Sequence, residues 1–330
     1  MARRIIFPAK SQVSLETFEP RPPGPGDVLV RTEYSLMSIG TETTILHGRY
    51  DPGTHFAARF SFPQIKTGVQ AIGIIEAAAP DVAEFTVGDR VFMRMAHASH
   101  CTLSSAQCSS VPGTVDSKSA CWCGLAKTAF RAAHAAPFSL GRQVLIVGAA
   151  PVGQMAVRWA RAAGMGAIVV VDLSALRLGL AARGGATECL EGPLDGLRRT
   201  LLARSERDGF DLVVDTTGNP VVFSQALGVT GMFGRLILLG DTGYPGRQCL
   251  TSDVMTKGLT IVATHDHHDR GGWTQRRIDA LFFGLVDAGA FPLDALITHE
   301  FLPQDFKAAY ALASDRREEA IGVLFDWTGI

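Results

Sequence analysis

The sequence has little net charge and no long apolar run, and each absence excludes a class of protein. Its 330 residues carry 31 basic and 32 acidic side chains, for a net charge of -1. No basic field is therefore available to hold a nucleic acid through its phosphates. No uninterrupted apolar stretch reaches the ~18 residues that a membrane-spanning helix needs. We expect neither a nucleic-acid partner nor a membrane partner.

Cysteine is also scarce, with six residues in the whole sequence. Secreted disulfide scaffolds are smaller and denser in cysteine, so we expect free thiols. The N-terminal segment has only three apolar residues between Arg4 and Pro8, which is too few for the core of a signal peptide. These features predict a soluble, cytoplasmic protein. Its 47% of hydrophobic residues predicts a large core.

The chain divides into two regions with different patterns. Residues 1–120 contain short β-prone runs separated by turns with proline and glycine. From about residue 143, strand-length Val/Ile/Leu runs alternate with amphipathic segments, which is typical of a parallel sheet covered by helices on both faces. We predict an α/β fold with a doubly wound domain, residues 124–265, inserted into a β-rich domain, residues 1–123 and 266–330.

Individual elements of the doubly wound domain can be predicted from hydrophobic periodicity. Strands are expected over residues 143–147, 168–171, 187–190, 212–215, 236–239 and 259–263. Helices are expected over residues 152–163, 175–183, 194–207 and 220–228.

A glycine-containing turn follows the first of these strands. It reads Gly148-Ala-Ala-Pro-Val-Gly153 and leads directly into a helix. Small residues at a helix N-terminus expose backbone amides, which is what a pyrophosphate needs. The dinucleotide fingerprint has glycine at its first, third and sixth places, and this turn has glycine, alanine and glycine. The predicted cofactor-binding residues of the turn are Gly148, Ala150, Pro151, Val152 and Gly153.

An acid ends the second predicted strand, 19 residues after Gly153. Asp172 is expected to accept hydrogen bonds from the adenosine ribose hydroxyls, and it would repel a 2′-phosphate. NAD(H) is therefore favoured over NADP(H). The nearby Arg177, a further predicted cofactor contact, could pair with a phosphate and weaken that preference. The alternative is a tight turn that binds no ligand.

With these residues the chain resembles the medium-chain dehydrogenases/reductases, the zinc alcohol dehydrogenase superfamily. The resemblance extends over nearly the whole length. It implies a Rossmann domain inserted in a GroES-like catalytic domain, cofactor contacts at Thr128, Thr217 and Gly240, and a homodimer that forms through sheet edges of the cofactor domains. Its markers are Ser38-Ile-Gly-Thr-Glu42, Gly68-Val-Gln-Ala-Ile-Gly73, Val87-Gly-Asp-Arg-Val91, Thr128-Ala-Phe130 and Lys257-Gly-Leu-Thr-Ile261.

The sequence departs from the zinc-dependent members where their catalytic metal binds. The ligand positions correspond to Ile39, Val69 and Gly124, and the glutamate that follows the ligand histidine corresponds to Gln70. Catalytic zinc needs three protein ligands, so we expect no zinc and no other metal. The chain resembles a zinc-poor branch that includes 3-hydroxyethyl bacteriochlorophyllide dehydrogenases. That resemblance implies NAD(H)-dependent interconversion of a secondary alcohol and a ketone on a sugar-, cyclitol-, tetrapyrrole- or natural-product-like small molecule.

Without zinc, a side chain must polarise the carbonyl and exchange the proton. His265 is the leading acid/base candidate, because it ends a strand beside the expected nicotinamide and histidine exchanges protons near neutral pH. Four further residues are candidates for this catalytic role, and each also has a purely structural explanation. Thr41 could cap a loop, Gln70 could form a hydrogen bond within a loop, Lys127 could face solvent, and Asp241 could form a turn.

Other interpretations remain open at this point. A rebuilt zinc site could use His97, His100, Cys101 and Cys108 with Cys121 and Cys123, although the spacings fit no standard pattern. The run His265-Asp-His-His268 could bind a metal or form a polar connection between domains. Arg316 and Arg317 are expected on a solvated helix face. The alternative functions are an NAD(P)H-dependent quinone or enoyl reductase and a catalytically inactive dinucleotide-binding sensor or scaffold.

Overall fold

The computed structural model describes residues 1–205 and 208–330. Its strands are β1 (Ala2–Phe7), β2 (Ser14–Phe18), β3 (Asp27–Leu36), β4 (Ile65–Lys66), β5 (Ala71–Ala78), β6 (Arg90–Met93), β7 (His100–Ser104), β8 (Cys108–Ser110), β9 (Gln143–Val147), β10 (Ala167–Asp172), β11 (Glu188–Glu191), β12 (Phe210–Asp215), β13 (Thr230–Leu238), β14 (Thr260–Ala263), β15 (Ile297–Phe301) and β16 (Gly322–Asp326). Its helices are α1 (Ile39–Leu46), α2 (His55–Arg59), α3 (Ser117–Ala120), α4 (Cys123–Ala135), α5 (Pro151–Ala162), α6 (Ala175–Gly184), α7 (Leu194–Arg204), α8 (Pro220–Val229), α9 (Asp253–Thr256), α10 (Gln275–Asp287) and α11 (Phe306–Asp315).

Six parallel strands form the sheet of the second region. Their order is β11-β10-β9-β12-β13-β14, and β9 and β12 lie at the centre because both carry unbroken buried Val/Ile/Leu runs. Two separate clusters of apolar side chains cover the two faces of the sheet. The predicted Rossmann-type doubly wound sheet is therefore confirmed.

A second sheet belongs to the β-rich region and is completed by the end of the chain. Its strands run β15-β16-β3-β5-β6-β8, and β7 also pairs with β3. Strand β16 lies antiparallel to β3, with Leu324 opposite Leu36. The chain thus leaves this sheet, builds the parallel sheet, and returns. A third sheet, β2-β1-β4, packs beside it.

The predicted elements of the parallel sheet agree with the structure in kind and place. Strand β9 occupies the predicted residues, and β13 begins six residues earlier than expected, at Thr230. Helix α7 ends at Arg204, and the last two residues of the predicted helix 194–207, Glu206 and Arg207, lie outside the described residues. Within the described part of the chain, no helix is long and apolar enough to cross a membrane.

A buried polar cluster fixes helix α1, which lies beside the cleft between the two sheets. The Glu42 carboxylate accepts hydrogen bonds from Tyr310 (2.6 Å), Thr67 (2.7 Å) and the backbone N–H of Ser38 (2.8 Å), and His97 Nε2 lies 3.1 Å away. Burial opposes ionisation of Glu42, but His97, Tyr310 and Thr67 outweigh it and hold its pKa below the ordinary value. We call these side chains the Glu42 cluster.

Candidate functional site

A cleft of about 620 Å³ lies between the two sheets. One wall is formed by loops at the carboxyl ends of β9, β12, β13 and β14, where open α/β sheets bind ligands. The other wall is formed by α1, α2 and the loops that follow β4 and β6. Nine of the predicted site residues line this cleft: Thr41, Thr128, Ala150, Pro151, Val152, Thr217, Gly240, Asp241 and His265.

The turn after β9 has the backbone that its glycines predict. Gly148 has φ +92°, and a Cβ there would lie 2.7 Å from Thr216 Oγ1. A Cβ at Gly153 would lie 2.0 Å from the Gly148 carbonyl oxygen, so the helix can approach the turn only with glycine at this position. Ala150 is the N-cap of α5 and Pro151 is its first residue. The positive end of the helix dipole therefore faces the cleft, as a pyrophosphate requires.

The acid at the end of β10 is held by the turn itself. Asp172 accepts hydrogen bonds from the backbone N–H groups of Ala149 (2.6 Å) and Ser174 (2.9 Å), and Arg177 Nη1 lies 3.9 Å away. The carboxylate is buried and does not line the cleft surface. Each of its oxygens keeps a second lone pair, so the predicted bond to a ribose hydroxyl stays a prediction.

His265 meets two other side chains at the mouth of the cleft. His55 Nε2 lies 3.0 Å from Asp241 Oδ2, and one donor atom from each of His55, Asp241 and His265 lies within 4.8 Å of the other two. Burial lowers the pKa of His265 and raises the pKa of Asp241, and the attraction between the two groups opposes both shifts. Asp241 therefore does more than form a turn. We call these three residues the His–Asp–His cluster.

Lys127 neither faces solvent nor lines the cleft. Its side chain is 5% exposed, and its Nζ lies 3.2 Å from both Asp266 Oδ1 and Gln275 Oε1. Asp266 also pairs with Arg94 (2.9 Å) and accepts a hydrogen bond from Thr128 (3.3 Å). The solvent interpretation of Lys127 is wrong, because the loop after β14 and helix α10 cover it. Asp266, from the His265–His268 run, joins α4 to the loop after β6.

Two family models match the chain and decide its membership. The model described as "Alcohol dehydrogenase GroES-like domain" matches residues 24–145, and that described as "Zinc-binding dehydrogenase" matches residues 151–273. Together they span most of the sequence. The chain belongs to the medium-chain dehydrogenase superfamily. The GroES-like and Rossmann-type parts predicted for it are thereby confirmed.

Similar proteins agree with this membership. A protein named L-threonine 3-dehydrogenase from Anaeromyxobacter dehalogenans strain 2CP-C is 33% identical over 57% of this chain. A protein of the same name from Bacillus licheniformis is 29% identical over 52% of this chain. The chain spans about half the length of these curated relatives, at 52% and 48%. A solved structure of 2R,3R-butanediol dehydrogenase from Bacillus subtilis aligns with this chain over 99% of each, with a TM-score of 0.83 and 17% sequence identity. This similarity concerns the fold alone.

The positions where the family resemblance places zinc ligands do not fit a zinc ion in this chain. Ile39, Val69 and Gly124 all line the cleft, and none of them carries a donor atom. Gln70 is fully buried behind this wall, where its Oε1 accepts a hydrogen bond from the Leu125 N–H at 3.0 Å. A Cβ at Gly124 would lie 2.3 Å from that oxygen. Gln70 is therefore placed to support the wall and not to touch a substrate.

The rebuilt zinc site is not assembled either. Within residues 1–205 and 208–330, the His–Asp–His cluster is the one group of three or more His, Cys, Asp or Glu side chains close enough to share a metal ion. His97 belongs to the Glu42 cluster, and His100 Nε2 lies 3.4 Å from Glu76. Cys121 and Cys123 are buried, and burial raises the pKa of both thiols.

Sequence reasoning missed two residues that the folded chain brings to the cleft. His55 had no assigned role, and Arg317 was expected on a solvated helix face, but both line the cleft. Burial lowers the pKa of Arg317, and Arg177 and Arg49 lower it further by repulsion. Such a group of cations favours a bound phosphate. No local signal marks these residues, because folding brings them to the cleft from distant parts of the chain.

Proposed function

We propose that this dehydrogenase interconverts a secondary alcohol and a ketone on a small-molecule substrate, with NAD(H) as cofactor and without zinc at the family positions. One observation carries the proposal. A dinucleotide-type turn forms one wall of a cleft that also has Ile39, Val69 and Gly124 at the positions of zinc ligands, with the polar side chains of Thr41 and His265 in the same cleft. When bound, NAD exchanges hydride with the substrate carbon.

Residues of the chain are arranged to hold the dinucleotide. The N-terminal turn of α5 presents the backbone amides of Ala150 and of the residues that follow Pro151. Arg317 adds positive charge at the cleft. Asp172 would accept a hydrogen bond from a ribose hydroxyl and disfavour a 2′-phosphate. This arrangement supports NAD(H) over NADP(H).

His265 is the residue we assign to proton exchange. A protonated imidazole would donate to the carbonyl oxygen during reduction, and a neutral one would accept the hydroxyl proton during oxidation. The Asp241 carboxylate stabilises the charged imidazole because both side chains belong to the same cluster. The Thr41 hydroxyl lines the cleft as a second donor. This chemistry replaces the polarisation that zinc supplies elsewhere.

The substrate class follows from the reaction and from the relatives. L-Threonine, in the name of the curated relatives, carries its hydroxyl on a secondary carbon, and butanediol dehydrogenase names a secondary diol. We therefore propose a polar secondary alcohol. L-Threonine, 2,3-butanediol and sugar alcohols are the first compounds to test.

The test uses protein treated with a chelator and measures the formation of NADH with these alcohols. Replacing His265 with Gln should reduce turnover well over tenfold with little change in NAD affinity, because only proton exchange is lost. His299→Gln is the matched control, since His299 lies on β15 outside the cleft. Turnover close to wild type in His265→Gln would contradict the assignment. Reduction of an activated C=C bond in place of alcohol oxidation would identify a quinone or enoyl reductase.

A further inference from the structure

We propose that His55, Asp241 and His265 form a binding site for one divalent transition-metal ion, with Zn²⁺ as the representative. This site is separate from the positions Ile39, Val69 and Gly124, which carry no donors. Metal binding itself does not depend on the proposed function. Only the predicted effect on turnover rests on that function.

The spacing of the donor atoms is the first argument. A tetrahedral zinc ion with bonds of about 2.0–2.1 Å holds its ligand atoms roughly 3.3 Å apart. His55 Nε2 and Asp241 Oδ2 are already 3.0 Å apart, and donor atoms of all three residues lie within 4.8 Å of one another. Small side-chain rotations therefore suffice to close the set around an ion.

The chemistry of the donors is the second argument. Two imidazoles and one carboxylate are a ligand set that zinc and neighbouring transition metals accept, whereas calcium and magnesium prefer oxygen alone. The Asp241 carboxylate supplies the negative charge that a bound cation needs. This charge matters because the same region contains the positively charged Arg59, whose Nη1 lies 3.2 Å from His267 Nε2. Three protein ligands leave a coordination position for water or a small ligand.

The positions of the three residues in the fold are the third argument. His55 begins α2 in the GroES-like part, whereas Asp241 and His265 follow β13 and β14 in the Rossmann part. An ion bound by all three would connect the two parts across the cleft. The backbone N–H of Asp51 already donates to the Gly243 carbonyl at 2.7 Å beside them, so the two walls are held together at this point.

A metal ion bound here would take the imidazole lone pair that His265 needs for proton exchange. Zinc should therefore inhibit the zinc-free enzyme reversibly, and a chelator should restore turnover. This effect is the opposite of that expected for a catalytic zinc ion, whose removal would abolish turnover.

The experiment titrates the metal-free full chain with Zn²⁺ by calorimetry and with Co²⁺ by visible absorption, without NAD or alcohol. One equivalent should bind to the wild type. His55→Gln and Asp241→Asn should each weaken the binding at least about tenfold, since each removes one of three ligands. His299→Gln, which removes a histidine outside the cleft, should bind as the wild type does. Circular dichroism of the metal-free variants checks that they are folded.

Two results would overturn the site: no saturable Zn²⁺ binding to the folded wild type, or Zn²⁺ affinity in His55→Gln and Asp241→Asn equal to that of the wild type. Turnover separates this inference from the proposed function. Activity in chelator that is lost with Zn²⁺ supports both. Activity that appears only with Zn²⁺, and is lost in Asp241→Asn, supports the metal site and contradicts zinc-independent catalysis.

Discussion

At the scale of single residues, the absence of a side chain at Gly153 matters as much as any functional group. A Cβ there would lie 2.0 Å from the Gly148 carbonyl oxygen, so Gly153→Ala must displace either the turn or α5. We expect NAD affinity to fall more than about tenfold, because the backbone amides leave their positions. Fluorescence titration with NADH measures it.

The matched control for Gly153→Ala is a second helical glycine. Gly179 in α6 has open space where a Cβ would stand, so Gly179→Ala should leave NAD affinity unchanged and stabilise the fold by up to ~1 kcal/mol. Equal NAD affinity in the two variants would show that the turn does not hold the dinucleotide.

Asp172 is the residue that should separate NAD from NADP. Replacing Asp172 with Ser removes a negative charge next to the expected ribose and should narrow the ratio of NAD to NADP affinity at least about fivefold, from repulsion of order 1 kcal/mol or more. Dissociation constants for both cofactors give the ratio. If the ratio stays the same while both affinities fall, Asp172 only supports the turn through Ala149 and Ser174.

At the scale of elements, the Glu42 cluster joins α1, α11 and the loop after β4. Glu42→Gln leaves buried partners without a charged acceptor and should lower the free energy of unfolding by about 2–4 kcal/mol at neutral pH. Denaturant unfolding of both proteins gives the difference.

The Glu42 cluster also predicts how the free energy of unfolding depends on pH. The pKa of Glu42 is below its ordinary value of 4.5 in the folded chain, so its ionised form stabilises the fold fully above about pH 4.5. That contribution is lost as the pH falls through the lower, folded pKa. The stability gap between wild type and Glu42→Gln should therefore shrink on acidification. A gap that is constant between pH 7 and pH 3 would contradict this assignment.

Elements and site residues differ in how far the sequence predicts them. Strand β9 and the Gly148–Gly153 turn are encoded locally, by an apolar run and by small residues in order, and the structure has them where the sequence places them. Lys127 was misplaced because its cover, Gln275 on α10, is far away in the chain. The partnership of His55 with Asp241 likewise depends on how the two sheets face each other, which no local pattern specifies.

At the scale of the whole molecule, we propose a homodimer that forms through β14. This strand lies at the edge of the parallel sheet, and Thr260 and Ala263 on it are exposed. Edge strands offer unpaired backbone groups to a second copy. Light scattering should give about twice the 35.2 kDa of one chain.

Lysines on an edge strand prevent such pairing. The double variant Thr260→Lys/Ala263→Lys should therefore be monomeric, whereas Ala182→Lys, on an exposed position of α6, should keep the dimer. A double variant with the mass of the wild type would place the contact elsewhere.

The pairing of β16 with β3 also sets the order in which the two sheets can be completed while the chain is being synthesised. The strands of the parallel sheet lie between residues 143 and 263, so that sheet can form as soon as its own segment leaves the ribosome. Strand β3 pairs with β5 and β7 early, but its Tyr34–Leu36 end waits for residues 322–326, which are made after the whole parallel sheet. Until then its edge is open to other chains. The nascent protein thus has a finished parallel sheet while the other sheet still lacks β16 and depends on protection from aggregation.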